Sequence, residues 1–206
     1  MRVKRADIDP ELRTAGLLAR VLLRPSAGYF RLLHRLTKRA GGGDVEGLDC
    51  DERHVPALEE GPPVRVRIYS PPDRPNGSRL PGVLFLHGGG YAFGSPEMSS
   101  GTYQSLIETR PCVVVAPDYR KSFDAPYPAA VNDCYAALLW MKTNAAELGV
   151  REDQLIVMGQ SAGGGLTAAV SLMARDRGDV RVAFQLPLYP MIDDRMTTES
   201  ARDNDA

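Results

Sequence analysis

Apolar residues recur along this chain with two different periods. Between residues 10 and 24, Leu12, Leu17, Leu18, Val21 and Leu22 fall close to helical spacing. Pro25 closes that run, because its ring cannot continue a helix. The helical period returns over residues 29–36 through Leu32, Leu33 and Leu36, and Gly41-Gly42-Gly43 then breaks the chain. Beyond the glycines the period changes. Val64-Arg65-Val66-Arg67-Ile68-Tyr69 alternates strictly, as a strand with one wet face does. Residues 83–86, 112–116, 155–158 and 182–186 are continuous apolar runs, as expected of strands covered on both faces. Residues 71–81 hold four prolines and an Asn-Gly pair and read as a loop. The intervening stretches 97–109, 128–148 and 162–175 read as helices, with Pro128 suited to a first turn where its missing N–H does no harm. Strands alternating with helices predict an α/β fold with a mostly parallel central sheet flanked by helices.

Two hundred and six residues suffice for one substantial core. The expected division is an N-terminal helical segment, residues 1–43, and a main body, residues 44–206. A net charge of −1 argues for neither nucleic acid nor an anionic surface. The charge is unevenly spread, however. Residues 1–40 hold ten Lys/Arg against three Asp/Glu, and residues 41–63 hold one Arg against seven Asp/Glu. The favoured reading is two solvated faces near one another; the alternative is a surface-binding basic arm. Cys50, Cys112 and Cys134 are sparse, odd in number and without metal-like spacing, so no metal or cofactor is expected and a reducing cytoplasm is. Arg20 interrupts the early apolar run and no small-residue cleavage pattern follows, so no signal peptide is expected. No stretch approaches the roughly 20 apolar residues that span a bilayer.

Candidate chemistry sits at the ends of two predicted strands. Gly159-Gln160-Ser161-Ala162-Gly163 follows the apolar run 155–158 and precedes a helix. This G-x-S-x-G pattern is a nucleophile elbow, with Ser161 at the apex of a sharp strand-to-helix turn. His87-Gly88-Gly89-Gly90 directly follows the run 83–86. A serine hydroxyl needs a base to take its proton and donors to hold the oxyanion it generates. Ala162 begins a helix, so its N–H lacks an intrahelical partner. Gly88, Gly89 and Gly90 can offer further N–H groups at close range.

The ordered set His87-Gly88-Gly89-Gly90-Tyr91, Gly94-Ser95, Asp118-Tyr119-Arg120, Pro128-Ala129-Ala130, Asp133-Cys134-Tyr135 and Gly159-Gln160-Ser161-Ala162-Gly163-Gly164 closely resembles the hormone-sensitive-lipase-like carboxylesterases of the α/β-hydrolase fold. The resemblance covers residues 64–195. It implies that Ser161 is the nucleophile, that Gly88, Gly89 and Ala162 form the oxyanion hole, and that His87 and Gly90 support it. It implies a small acyl-ester substrate and N-terminal helices that cap the site. Gln160 stands where many members carry aspartate. The family's triad runs Ser, then Asp or Glu, then His. No histidine follows Ser161, and Asp193 and Asp194 resemble a loop after the sixth strand, not the catalytic acid. The expectation is therefore a partial fold without its last strands, truncated at the C-terminus and impaired in turnover, with an open sheet edge near residues 182–186. Such an edge suits self-association or a complementing chain.

Other assignments weigh less. His34, on a predicted helix, and His54, in an acidic and loop-like region, read as surface histidines. Asp118 reads as a structural carboxylate at a strand end. The glycines of 88–94 miss the dinucleotide pattern G-x-G-x-x-G, since Phe93 holds the third glycine position, and Ser161 replaces the second glycine at the elbow. A non-catalytic binding protein derived from an esterase is the alternative function.

Overall fold

A computed structural model describes residues 8–22, 26–40, 42–75, 77–195 and 197–199. Two helices come first, α1 (Pro10–Leu22) and α2 (Ala27–Ala40). The body alternates strands and helices: β1 (Asp49–Val55), β2 (Val64–Ser70), β3 (Leu80–Leu86), α3 (Ser100–Thr109), β4 (Val113–Pro117), α4 (Ala129–Thr143), α5 (Ala145–Leu148), β5 (Val150–Gln160), α6 (Ala162–Arg177) and β6 (Phe184–Leu188). A 3-10 turn, Pro96–Ser99, leads into α3. The six strands form one sheet in the order β1-β2-β4-β3-β5-β6. β2 runs antiparallel to both β1 and β4, and the four strands from β4 to β6 are mutually parallel.

The apolar runs form strands because both sheet faces are covered. On β3, Leu84 and Leu86 point into one core layer with Leu138 of α4 and Val170 of α6, while Val83 and Phe85 point into the other with Tyr103 and Ile107 of α3. The period of two along a strand sends alternate residues to the two layers. Helix α6 ends at Gly178, a left-handed cap at φ 70°.

Three expectations are corrected. Residues 49–55 are a strand, not a loop, so His54 lies on β1 and pairs with Arg65 of β2. The helix expected over 128–148 divides at Asn144 into α4 and α5, with Pro128 as the N-cap residue after a cis Tyr127–Pro128 bond. The last strand begins at Phe184, two residues later than expected, and its first three residues are exposed.

The chain moves from β3 outward to β4, then back across β3 to β5 and on to β6. Strand order therefore reverses at β3. A crevice opens beyond the carboxyl ends of the strands at such a switch point. Leu86 of β3 is in register with Gly159 of β5, so the two motifs leave the sheet side by side.

Candidate active site

Ser161 sits between β5 and α6 at φ 55°, ψ −116°, a backbone conformation rare for a residue with a side chain. Such strain costs on the order of 1–3 kcal/mol and persists only where the surroundings enforce it. Here three hydrogen bonds do so. The Ser161 N–H donates to the Leu188 carbonyl at 3.0 Å, and the Ser161 carbonyl accepts from the N–H groups of Gly165 (3.1 Å) and Met191 (3.0 Å). The side chain makes no capping hydrogen bond with the helix it begins. Gly163 allows the elbow to press on β3: a Cβ there would lie 1.9 Å from the Leu86 carbonyl oxygen.

The glycine loop comes from the neighbouring strand end. A Cβ on Gly88 would lie 3.5 Å from the Cβ of Ser161 and 3.2 Å from the Gln160 carbonyl oxygen, so backbone and serine are in near contact. Gly89 adopts φ 127°, and a Cβ there would meet the Phe93 carbonyl oxygen at 2.0 Å, a conformation and a space open only to glycine. Ala162 is fully buried as the first residue of α6, and its N–H is beyond the reach of any intrahelical carbonyl. The sequence-predicted Ser161, Gly88, Gly89 and Ala162 thus converge on one crevice.

His87 serves as a buried spacer. It is 1% exposed, its Nδ1 lies 2.7 Å from the Gly88 carbonyl oxygen, and its ring stacks on Tyr119 at 4.4 Å between centroids. A carbonyl can only accept, so Nδ1 carries the proton and the buried Nε2 is an acceptor without a partner. Burial, helped by the nearby Lys121 charge, holds the imidazole down to about 3, and it is neutral at pH 7. Tyr119 donates from its hydroxyl to the His87 carbonyl at 2.8 Å, and Lys121 Nζ lies 4.2 Å above the Tyr119 ring. The loop is anchored by Arg120, whose guanidinium grips the 2% exposed Asp133 at 2.7 Å. Asp118 accepts from Lys121 at 2.9 Å and from Arg65 at 3.4 Å, as a structural carboxylate does.

Other contacts escaped sequence reasoning. Gln160 donates to Ser99 Oγ at 3.3 Å and accepts from the Tyr189 hydroxyl at 2.9 Å, tying the elbow to the loop after β6. Tyr91 donates to the Met191 carbonyl at 2.9 Å. Only their place beside the glycine and elbow motifs could have signalled either. A cavity of about 340 Å³ opens between α4 and α6, lined by Tyr91, Tyr127, Val131, Gly165, Leu166 and Ala169. A larger one, about 670 Å³, lies by Leu172, Val182 and Phe184, away from both motifs.

The remaining histidines lie elsewhere. His34 is not a surface residue as expected: it is 8% exposed and bonds Asp124 at 3.2 Å. It is buried because α2 lies on the site loops, where Phe30 stacks on Phe93 at 6.0 Å and the Gly94 N–H donates to Thr37 Oγ1 at 3.3 Å. His54 is exposed on β1. Among the described residues, no imidazole hydrogen bond reaches Ser161. Asp193 is exposed and paired with Arg195 at 2.6 Å.

Residues 83–206 match the family described as alpha/beta hydrolase fold. The esterase LipI of Mycobacterium tuberculosis is 38% identical over 140 residues, covering 67% of this chain and 44% of its own length. The carboxylesterase NlhH of Mycobacterium tuberculosis is 37% identical over 190 residues, covering 91% of this chain and 58% of its own. A solved bacterial heroin esterase superposes with a TM-score of 0.71 at 34% identity, covering 98% of this chain and 58% of that one. The chain therefore spans about half the length of the curated relatives it matches. Among the described residues, no helix is long and apolar enough to cross a membrane. The chain belongs to the alpha/beta hydrolase fold family, and its relatives there are named as esterases and carboxylesterases.

Proposed function

We propose that this chain carries the nucleophile and oxyanion hole of a serine carboxylesterase acting on small acyl esters. The observation that carries the reading is the near contact of Gly88 with Ser161, a Cβ on the one falling 3.5 Å from the Cβ of the other. In this reading Ser161 Oγ attacks the ester carbonyl carbon, and the C=O π pair moves onto oxygen. The N–H groups of Gly88, Gly89 and Ala162 hold that oxyanion, each worth on the order of 3–4 kcal/mol at the transition state. Collapse of the tetrahedral species expels the alcohol and leaves an acyl group on Ser161, which water then hydrolyses. Gly90 and the neutral His87 keep the loop shaped. Residues 1–43 form a cap over a body of residues 44–206, a division supported by the contacts of α2 with Phe93 and Gly94. Three free cysteines favour a cytoplasmic setting.

Among the described residues, no imidazole is hydrogen-bonded to Ser161 to take its proton. His87 is buried against Gly88 and His34 is engaged with Asp124. Turnover by the isolated chain is therefore expected to fall toward that of a triad knockout, a loss on the order of a million-fold in related chemistry. The exposed β6, with Phe184 at 59% and Leu186 at 37%, favours a second reading in which the chain binds and does not turn over, or is completed by another polypeptide along that edge. Hydrolysis of a short-chain p-nitrophenyl ester by wild type and Ser161→Ala separates these. Turnover lost in the variant supports the esterase reading and places a base in or beside this chain. Equal background rates in both, restored in wild type alone by an added complementing chain, support the partial-site reading. Rates that Ser161→Ala leaves unchanged under every condition refute the role of Ser161.

A further inference from the structure

We propose that the outward face of α2 seats this protein on an anionic lipid bilayer. The fourteen residues of α2 hold Tyr29, Phe30, Leu32, Leu33 and Leu36 along one side, with Arg31, Arg35 and Lys38 along the other and no acidic residue in the helix. At 3.6 residues per turn the apolar arc is wider than the surface it packs on. Phe30 and Leu33 are half-buried and His34 is buried, all toward the body. Leu32 and Leu36, one turn apart, are 54% and 55% exposed, and Arg35 beside them is exposed as well. Leu12 of α1 is 61% exposed.

The charges select the occupant. Among the described residues no carboxylate pairs with Arg31 or Arg35; Arg31 lies over the Phe123 ring at 5.3 Å, and Lys38 alone finds an acid, Asp124 at 2.7 Å. Across residues 1–40 ten cations face three acids. A second copy presenting the same face would bring like charges together. In the acidic segment that follows, Asp44 is already paired with Arg67 at 2.6 Å, Glu52 with Arg65 at 2.9 Å and Asp51 with Arg53. Exposed leucines flanked by unpaired arginines on a helix too short and too charged to cross a bilayer match an interfacial helix: the leucines enter the acyl boundary and the cations meet anionic headgroups. This inference concerns binding and holds whatever the turnover of the chain.

Co-sedimentation with large unilamellar vesicles tests it on the whole 206-residue chain. One set is phosphatidylcholine alone, and the other is equal parts phosphatidylcholine and phosphatidylglycerol. Partitioning is expected to be at least about tenfold stronger on the anionic vesicles and to weaken as salt shortens the Debye length. Leu32→Glu/Leu36→Glu and, separately, Arg35→Glu should each lower it several-fold while leaving the thermal melt unchanged, because all three side chains point away from the body. Binding to neither vesicle, equal binding to both, or binding indifferent to both variants overturns the proposal. So does a concentration-dependent dimer that the leucine variant abolishes, since a second copy would then cover this face.

Discussion

Lowering the pH should destabilise this protein through one residue, His87, and by an amount that can be worked out. The imidazole is 1% exposed, donates from Nδ1 to the Gly88 carbonyl, and has no partner at Nε2. Its pKa lies at about 3 in the folded chain against an ordinary value of 6.5. Above 6.5 the ring is neutral in both states and the native state keeps the full benefit. As pH falls below 6.5 the unfolded chain takes up a proton that the folded chain refuses, so stability is lost progressively until the folded value near 3 is reached. One pH unit inside that window corresponds to about 1.4 kcal/mol, so going from pH 7 to pH 5 removes about 2 kcal/mol through this group. Urea unfolding at the two pH values measures the loss. His87→Gln is the control: its amide can still donate to the Gly88 carbonyl and does not titrate. The wild type should lose about 2 kcal/mol more than His87→Gln over that interval. Equal losses in the two proteins would mean that His87 does not carry this pH dependence, because the carboxylates and the other two histidines are common to both.

Two further perturbations probe the supports of the site. Gly163→Ala places a methyl 1.9 Å from the Leu86 carbonyl oxygen and 2.6 Å from that of His87, both backbone atoms. The elbow must then move off β3, and chemical denaturation should show a loss of about 1–3 kcal/mol; a loss near zero would mean the elbow has slack. Asp124→Asn weakens the clamp that α2 makes through Lys38 at 2.7 Å and His34 at 3.2 Å, so backbone amides of residues 30–37 should exchange faster at neutral pH while those of β3 and β5 do not. Acid should reproduce the effect in the wild type. Burial works to raise the Asp124 carboxyl, but Lys38, the Lys121 N–H and His34 outweigh it and hold it below its ordinary 3.8, so the clamp is intact above that value and released as pH falls through the lower one.

How far the sequence could be read depended on which residues make each contact. Strands β3, β4 and β5 were legible because burial on two faces demands continuous apolar runs, as Val83, Leu84 and Phe85 show. β1 was not, because Asp-Cys-Asp-Glu-Arg-His-Val is an edge strand with one neighbour and a mostly wet surface, and charged residues suffice where little is buried. The burial of His34 was equally hidden: its partner Asp124 lies 90 residues away, in a loop whose position only the folded chain defines. The same holds for Tyr119 and Lys121, which shape the glycine loop from the end of β4.

The placement of the two motifs, by contrast, carried information that no single element does. Each ends a strand, and periodicity cannot order strands in a sheet. Yet a glycine loop can serve a serine only if β3 and β5 are neighbours, parallel, and in register at their carboxyl ends. Acyl-transfer chemistry therefore predicts a topology: the chain must go out from β3 and return past it. The order β4-β3-β5 and the pairing of Leu86 with Gly159 meet that requirement. A strand order that separated β3 from β5 would have left two motifs with nothing to do together, however well each matched its pattern. The near contact of Gly88 with Ser161 is thus a consequence of sheet topology as much as of local sequence.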